Sequence, residues 1–133
     1  MDDPRPQLQA AAAKVGVGSY RRHVLLCTGP SCCAPEDGQA AWEALKAQIK
    51  EHGLGAGPGA CYRSKVGCLR ICCHGPTMVV YPEGTWYHGM TADRVPRLVR
   101  EHLIEGRPVE EWVFARNPLG QAAAAPAGGP AGS

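Results

Sequence analysis

Two groups of cysteines carry the chemistry of this chain. The first is Cys27-Thr28-Gly29-Pro30-Ser31-Cys32-Cys33. The second is Cys68-Leu69-Arg70-Ile71-Cys72, followed at once by Cys73-His74-Gly75-Pro76. Thiolate is a soft anionic ligand, so four thiolates drawn from two loops can hold a metal ion or an iron–sulfur core. A [2Fe–2S] core takes four, two per iron, and the two on one iron must converge. Cys27 ends an apolar run and Cys33 adjoins a helix start, which suits one iron. Cys68 and Cys72, four apart in one loop, suit the other. Spacing leaves open whether Cys32 or Cys33 completes the first pair. Cys33 is preferred because it sits beside the helix start, where free N–H groups and the helix dipole stabilise a thiolate. Cys61 and Cys73 read as small apolar side chains rather than ligands.

Tetrahedral zinc is the competing use of the quartet. Structural zinc favours cysteine pairs spaced by about two to four residues. Cys68-x3-Cys72 fits; Cys27-x5-Cys33 is too long and Cys27-x4-Cys32 is at the limit. A thiol–disulfide enzyme would need Cys-x-x-Cys, which is absent from the sequence. His74 and His88 read as surface or packing residues, since four cysteines suffice. No general acid–base pair, nucleophile triad or nucleotide motif stands out, so the chain does not read as an enzyme.

The elements that must position these residues follow from pattern. His23-Val24-Leu25-Leu26-Cys27 is a short apolar run, expected as a buried strand. Pro35 with Glu36 and Asp37 marks a helix start. That helix carries Trp42, Leu45 and Ile49 on one face and is expected to end near Gly53. The Gly-rich stretch from Gly53 to Ala60 lacks the Lys-Ser/Thr and preceding strand of a phosphate loop, so it reads as a connection. Residues 61–66 predict a second strand and 78–81 a third. Pro82-Glu83-Gly84 predicts a turn and 85–88 the returning strand of a hairpin. Thr91 or Asp93 is expected to cap a second helix with Val95, Leu98, Val99, His102 and Leu103 on its apolar face, ended by Gly106 and Pro108. Residues 111–114 predict an extra strand or a packing arm. The fold class is α/β: one domain with a small mixed sheet of about four strands and two main helices.

Length and composition set the bounds. The 133 residues suffice for one domain. Residues 1–18 read as a flexible arm, 19–116 as the domain, and 117–133 as a disordered low-complexity tail. No apolar stretch approaches the roughly 18 residues of a membrane span, and the N-terminus has no signal-peptide pattern. Seven cysteines in that setting predict a reducing, cytoplasmic location. The formal charge of +2 counts cysteines as neutral. A diferric two-sulfide core on four thiolates carries about −2, which takes the loaded chain to about zero. Neither a nucleic-acid partner nor a membrane partner follows from that balance.

From Cys68 the residues run Cys68-x3-Cys72-x2-Gly75-Pro76-x2-Val79-Val80-Tyr81-Pro82-Glu83-Gly84-x-Trp86-Tyr87. Later come Glu101-His102-Leu103-x2-Gly106-x-Pro108-Val109. This pattern resembles the thioredoxin-like [2Fe–2S] ferredoxins, relatives of the 24 kDa subunit of respiratory complex I, from His23 to about Val113. The resemblance implies a thioredoxin-like sheet without the thioredoxin active site, often as a homodimer. In such ferredoxins the second ligand stands nine residues before a large apolar residue of the first helix. Trp42 makes that position Cys33. The resemblance thus implies a [2Fe–2S] cluster on Cys27, Cys33, Cys68 and Cys72. The first loop is shorter than in the ferredoxins that space their first pair widely, and the doubled Cys32-Cys33 keeps the second ligand arguable.

The function this implies is a soluble carrier of single electrons between redox partner proteins. A cluster-bearing subunit of a larger oxidoreductase is the alternative; Trp86, Trp112, Phe114 and the tail are candidates for its contact patch. A zinc-stabilised interaction domain is the third. Arg70 lies between two ligands, and Arg63 and Lys65 lie upstream; positive charge there would raise a cluster's potential.

Overall fold

The structure, a computed structural model, describes residues 3–57 and 59–120. Helix α1 (Arg5–Lys14) comes first, followed by β1 (Arg22–Cys27), α2 (Pro35–Glu51), β2 (Cys61–Val66), β3 (Thr77–Tyr81) and β4 (Thr85–Tyr87). Helix α3 (Val95–Leu98) runs straight on as a π-helical segment (Val99–Ile104), and a short 3-10 turn (Glu110–Trp112) leads into β5 (Val113–Arg116). The strands form one mixed sheet in the order β2-β1-β3-β4-β5. Only β1 and β2 are parallel; the other pairs are antiparallel. A parallel pair needs a crossover, and α2 supplies it.

Helix α2 begins at Pro35, whose missing N–H is one the first turn would leave unpaired, with Glu36 and Asp37 at the positive end of the dipole. It buries Ala41, Leu45 and Ile49 and leaves Trp42 half-buried. The α3–π segment buries Val95, Leu98, Val99, His102 and Leu103, the face the sequence predicts. Both helices pack on the sheet side formed by Val24, Leu26, Met78, Val80 and Tyr87. That shared core holds the ends of β1 and β3 still, and the cysteine loops hang from those ends.

Four expectations change. The sheet has five strands rather than about four. The last one starts at Val113, because residues 110–112 wind into the 3-10 turn first. Residues 5–14 are helical rather than an irregular arm; the Ala run favours helix, and none of its side chains is buried. Thr91 and Asp93 do not cap the second helix: the Thr91 hydroxyl donates to the Asp93 carboxylate at 2.5 Å, and the helix starts two residues later. The ordered fold also continues past 116. Asn117 N–H donates to Gly84 O at 2.7 Å and Leu119 N–H to Pro82 O at 3.0 Å, which ties 117–119 to the β3–β4 turn. Residues 121–133 of the expected tail lie outside the described residues.

One buried polar network joins the far side of the sheet to the helices. Arg22, 5 % exposed, donates to both oxygens of Glu83 (3.2 and 3.0 Å) and to Leu103 O (3.2 Å). Tyr87 Oη accepts from Val109 N–H at 3.0 Å and lies 2.8 Å from His102 Nδ1. A Tyr87 hydroxyl that donates to Nδ1 leaves the His102 proton on Nε2, 3.5 Å from Glu83 Oε1.

Candidate metal centre

The cysteine groups lie at one end of the sheet. Cys27 is the last residue of β1, 2 % exposed, between Val66 on β2 and Thr77 on β3. The first loop leaves from Cys27 and the second leaves from Val66, so parallel pairing alone sets the two loops side by side. Thr28 N–H donates to Val66 O at 3.1 Å and extends that pairing one step into the loops.

Two glycines let the loops close on each other. A Cβ on Gly29 would overlap the carbonyl oxygen of Gly67 in the second loop. A Cβ on Gly75 would overlap Cys32 Sγ and lie 2.7 Å from Cys32 O, while Gly75 N–H donates to that same oxygen at 3.0 Å. Neither position has room for a side chain. Gly38 does the same on the helix side: a Cβ there would lie 3.2 Å from Cys33 Sγ. Nothing in the sequence marks Gly29, Gly38 or Thr77, and Gly75 stands out there only as part of the motif that follows Cys72. The signal was faint, because close approach between distant loops leaves no periodic trace.

Within the first loop, Cys32 is buried and Cys33 half-buried. The Cys32 thiol donates to Thr77 Oγ1 at 3.5 Å, a long sulfur hydrogen bond. Burial, then the neighbouring Cys32 and Cys27, push the Cys33 thiol above its ordinary value. In the second loop Cys68 and Cys72 are exposed. Arg70, Cys72 and His74 adopt left-handed backbone with φ of 70°, 61° and 52°. Such a backbone costs a side-chain-bearing residue on the order of 1 kcal/mol, and three in one loop mark a shape held for a purpose. Arg70 N–H points inward and donates to Cys68 Sγ at 3.2 Å. Partial desolvation, the adjacent Cys68 with its hydrogen bond, and then Cys27 and Cys32 raise the Cys72 thiol.

Cys27, Cys32 and Cys68 thus lie near enough to act on Cys72, and Cys33 stands beside Cys32 and Cys27. No disulfide joins any of the seven cysteines. Among the described residues no three His, Cys, Asp or Glu side chains converge as a single-ion site requires. The thiols come instead as adjacent pairs, 68 with 72 and 32 with 33, around Cys27. Crowded thiols hold each other protonated, whereas a cationic centre among them reverses that sign and stabilises four thiolates. This donor set fits a two-iron cluster. Cys61 lies at the opposite end of β2, buried, with its thiol pushed up by burial. Cys73 is exposed and lines a cleft of about 400 Å³ with Ile71, His74, His88 and Phe114.

The putative 2Fe-2S ferredoxin of Priestia megaterium is 33 % identical over 91 residues, covering 68 % of each chain. The chain belongs to the [2Fe–2S] ferredoxins. Its stretch of similarity to the 2Fe-2S ferredoxin of Clostridium pasteurianum is 47 % identical over 47 residues, 35 % of this chain and 46 % of that protein. The match to the Aquifex aeolicus 2Fe-2S ferredoxin covers 45 % of that protein. The chain therefore spans about half the length of these two relatives. The structure of a thioredoxin-like [2Fe–2S] ferredoxin from Aquifex aeolicus superposes with a TM-score of 0.64 at 26 % identity, covering 76 % of this chain and 96 % of that one. The fold is thus thioredoxin-like, and the membership is in the thioredoxin-like branch of these ferredoxins. No protein-family model matches the chain.

Proposed function

We propose that the protein carries single electrons between redox partner proteins through a [2Fe–2S] cluster held by Cys27, Cys68, Cys72 and one thiol of the Cys32–Cys33 pair. The apposition of the two cysteine loops at Gly29 and Gly67 is the observation that carries this reading. The cluster, when bound, takes up and gives back one electron. The chain's own residues do the rest. Cys27 anchors the site to the rigid end of β1. Cys68 and Cys72 sit at the surface, where a partner can approach. Arg70 N–H donates to Cys68 Sγ, a contact that favours thiolate over thiol. Arg63 and Lys65 lie over the Trp42 ring, 5.1 and 5.9 Å from its centroid, which leaves Arg70 as the cation nearest the ligands in sequence. Seven cysteines free of disulfides support a reducing compartment, the cytoplasm.

Packing supports Cys32 as the fourth ligand in place of Cys33. Cys32 lies against Gly75 of the second loop, and of the first-loop thiols Cys27 and Cys32 are the two that act on Cys72. Cys33 turns instead toward Gly38 and feels Asp37. Single Cys→Ala variants test the quartet through iron content and visible absorption. Cys27→Ala, Cys32→Ala, Cys68→Ala and Cys72→Ala are expected to lose most of their iron, and Cys33→Ala to keep it. Iron kept by Cys32→Ala and lost by Cys33→Ala would return the role to Cys33.

A subunit of a larger oxidoreductase is the second reading. Ile71, in the ligand loop, and Phe114 are both more than one-third exposed and line the same cleft beside Cys73. Trp86 and Trp112 are half-buried and add little to that patch.

A further inference from the structure

A second concavity lies at the opposite end of the β1–β2 pair from the cysteine loops. Its volume is about 540 Å³, within the size range of small-molecule sites. Its walls come from the end of α1, the outer face of α2 and the start of edge strand β2. Beyond Arg63, the last strand residue in its lining, three more residues of β2 lead to the second cysteine loop, roughly 10 Å of extended chain.

The lining is one-sided in charge. Lys14, Lys46, Lys50 and Arg63 contribute four cations, and no carboxylate lines the cavity. Among the described residues no carboxylate lies within ion-pairing distance of Lys14, Lys50 or Arg63; Lys46 alone pairs with Glu43, at 3.1 Å. Arg63 is oriented by the Trp42 ring instead. Gathering like charges from three elements costs free energy that an anion in their midst recovers.

Tyr20 and Tyr62 close the cavity round the β2 edge, on the sheet face away from α2. The Tyr20 and Tyr62 rings stack at 5.0 Å with an interplanar angle of 14°, and His23 meets both edge-on. His23 is itself held by Ser64 Oγ, 2.8 Å from Nε2. The floor at Ala60 and Cys61 is pinned by Arg21 N–H to Ala60 O at 2.6 Å and Cys61 N–H to Leu54 O at 2.8 Å. Four cations gathered round one concavity suit a polyphosphate ligand.

We propose that this cavity is a binding site for a small polyanion of the polyphosphate class, separate from the cluster site. Isothermal titration calorimetry of the holo-protein at low ionic strength, with ATP, inorganic pyrophosphate and adenosine as probes, tests it. ATP and pyrophosphate are expected to saturate at one per chain and adenosine to bind far more weakly. Lys50→Ala and Arg63→Ala should each weaken ATP at least about fivefold, while Arg100→Ala, an exposed cation outside the cavity, should leave it unchanged. An unchanged visible spectrum shows that each variant is folded and loaded. Absence of saturable binding below about 10 mM would overturn the proposal. So would equal losses in Arg100→Ala and Lys50→Ala, or adenosine binding as tightly as ATP.

Discussion

At the scale of single residues, the site depends on groups that do no chemistry. Gly29 is the clearest. A methyl group there meets a backbone oxygen of the other loop, which no side-chain rotation can relieve. Gly29→Ala should therefore part the loops, lower iron incorporation severalfold and destabilise the chain by about 1–3 kcal/mol, read by iron analysis and chemical unfolding. Full iron with unchanged stability would mean that the loops close in another way. Arg70 is the complementary case, an exposed cation between two of the proposed ligands. Arg70→Glu should lower the midpoint potential by on the order of tens of millivolts, a modest figure because solvent screens the charge. An unchanged redox titration would remove Arg70 from the account. The two cysteine-bearing loops were legible from spacing, whereas the parts played by Gly29, Gly75 and Thr77 were not. Their roles arise from contacts between segments about forty residues apart. The choice between Cys32 and Cys33 shows the same limit. A helix-start argument selects Cys33; the packing of the second loop, invisible in sequence, favours Cys32.

At the scale of elements, patterning told most of the story. The apolar run at 23–27, Pro35 with its two acids, and the face from Val95 to Leu103 became β1, α2 and the α3–π segment because the apolar spacing of each matched its element. Strand β5 was ambiguous because it is an edge strand with Phe114, Ala115 and Arg116 exposed, so no buried alternation marks it. The network that ties β1, β3–β4 and the π segment together has a pH signature. Burial lowers the His102 pKa, with Glu83 opposing and Arg22 adding to the effect. Glu83 is driven up by burial, but Arg22 more than offsets this and its pKa falls. The unfolded chain thus binds a proton at His102 more readily than the folded one. Stability should fall as pH drops below about 6.5, by at most about 1.4 kcal/mol per pH unit. Guanidinium unfolding between about pH 7.5 and 5.5, compared with His102→Gln, isolates this contribution, since the variant shares any acid sensitivity of the cluster site. The variant should have the shallower slope, the remainder coming from His23, whose pKa burial also lowers; equal slopes would mean that His102 titrates alike in both states.

At the scale of the molecule, the thioredoxin-like sheet keeps its two cysteine loops at one end and its basic cavity at the other. No described helix is long and apolar enough to cross a membrane. The helix at 5–14 and the contacts of 117–119 with the β3–β4 turn left little mark in the sequence, because they depend on local propensity and on a partner segment respectively. The central claim is that two cysteine loops hold a two-iron cluster that passes one electron. Visible absorption and EPR of protein purified without added metal, before and after dithionite, address it most directly. Bands between roughly 330 and 550 nm that bleach on reduction to an S = 1/2 signal, with about two irons per chain, are the predicted result. About one zinc per chain, with no iron taken up on anaerobic reconstitution, would contradict it.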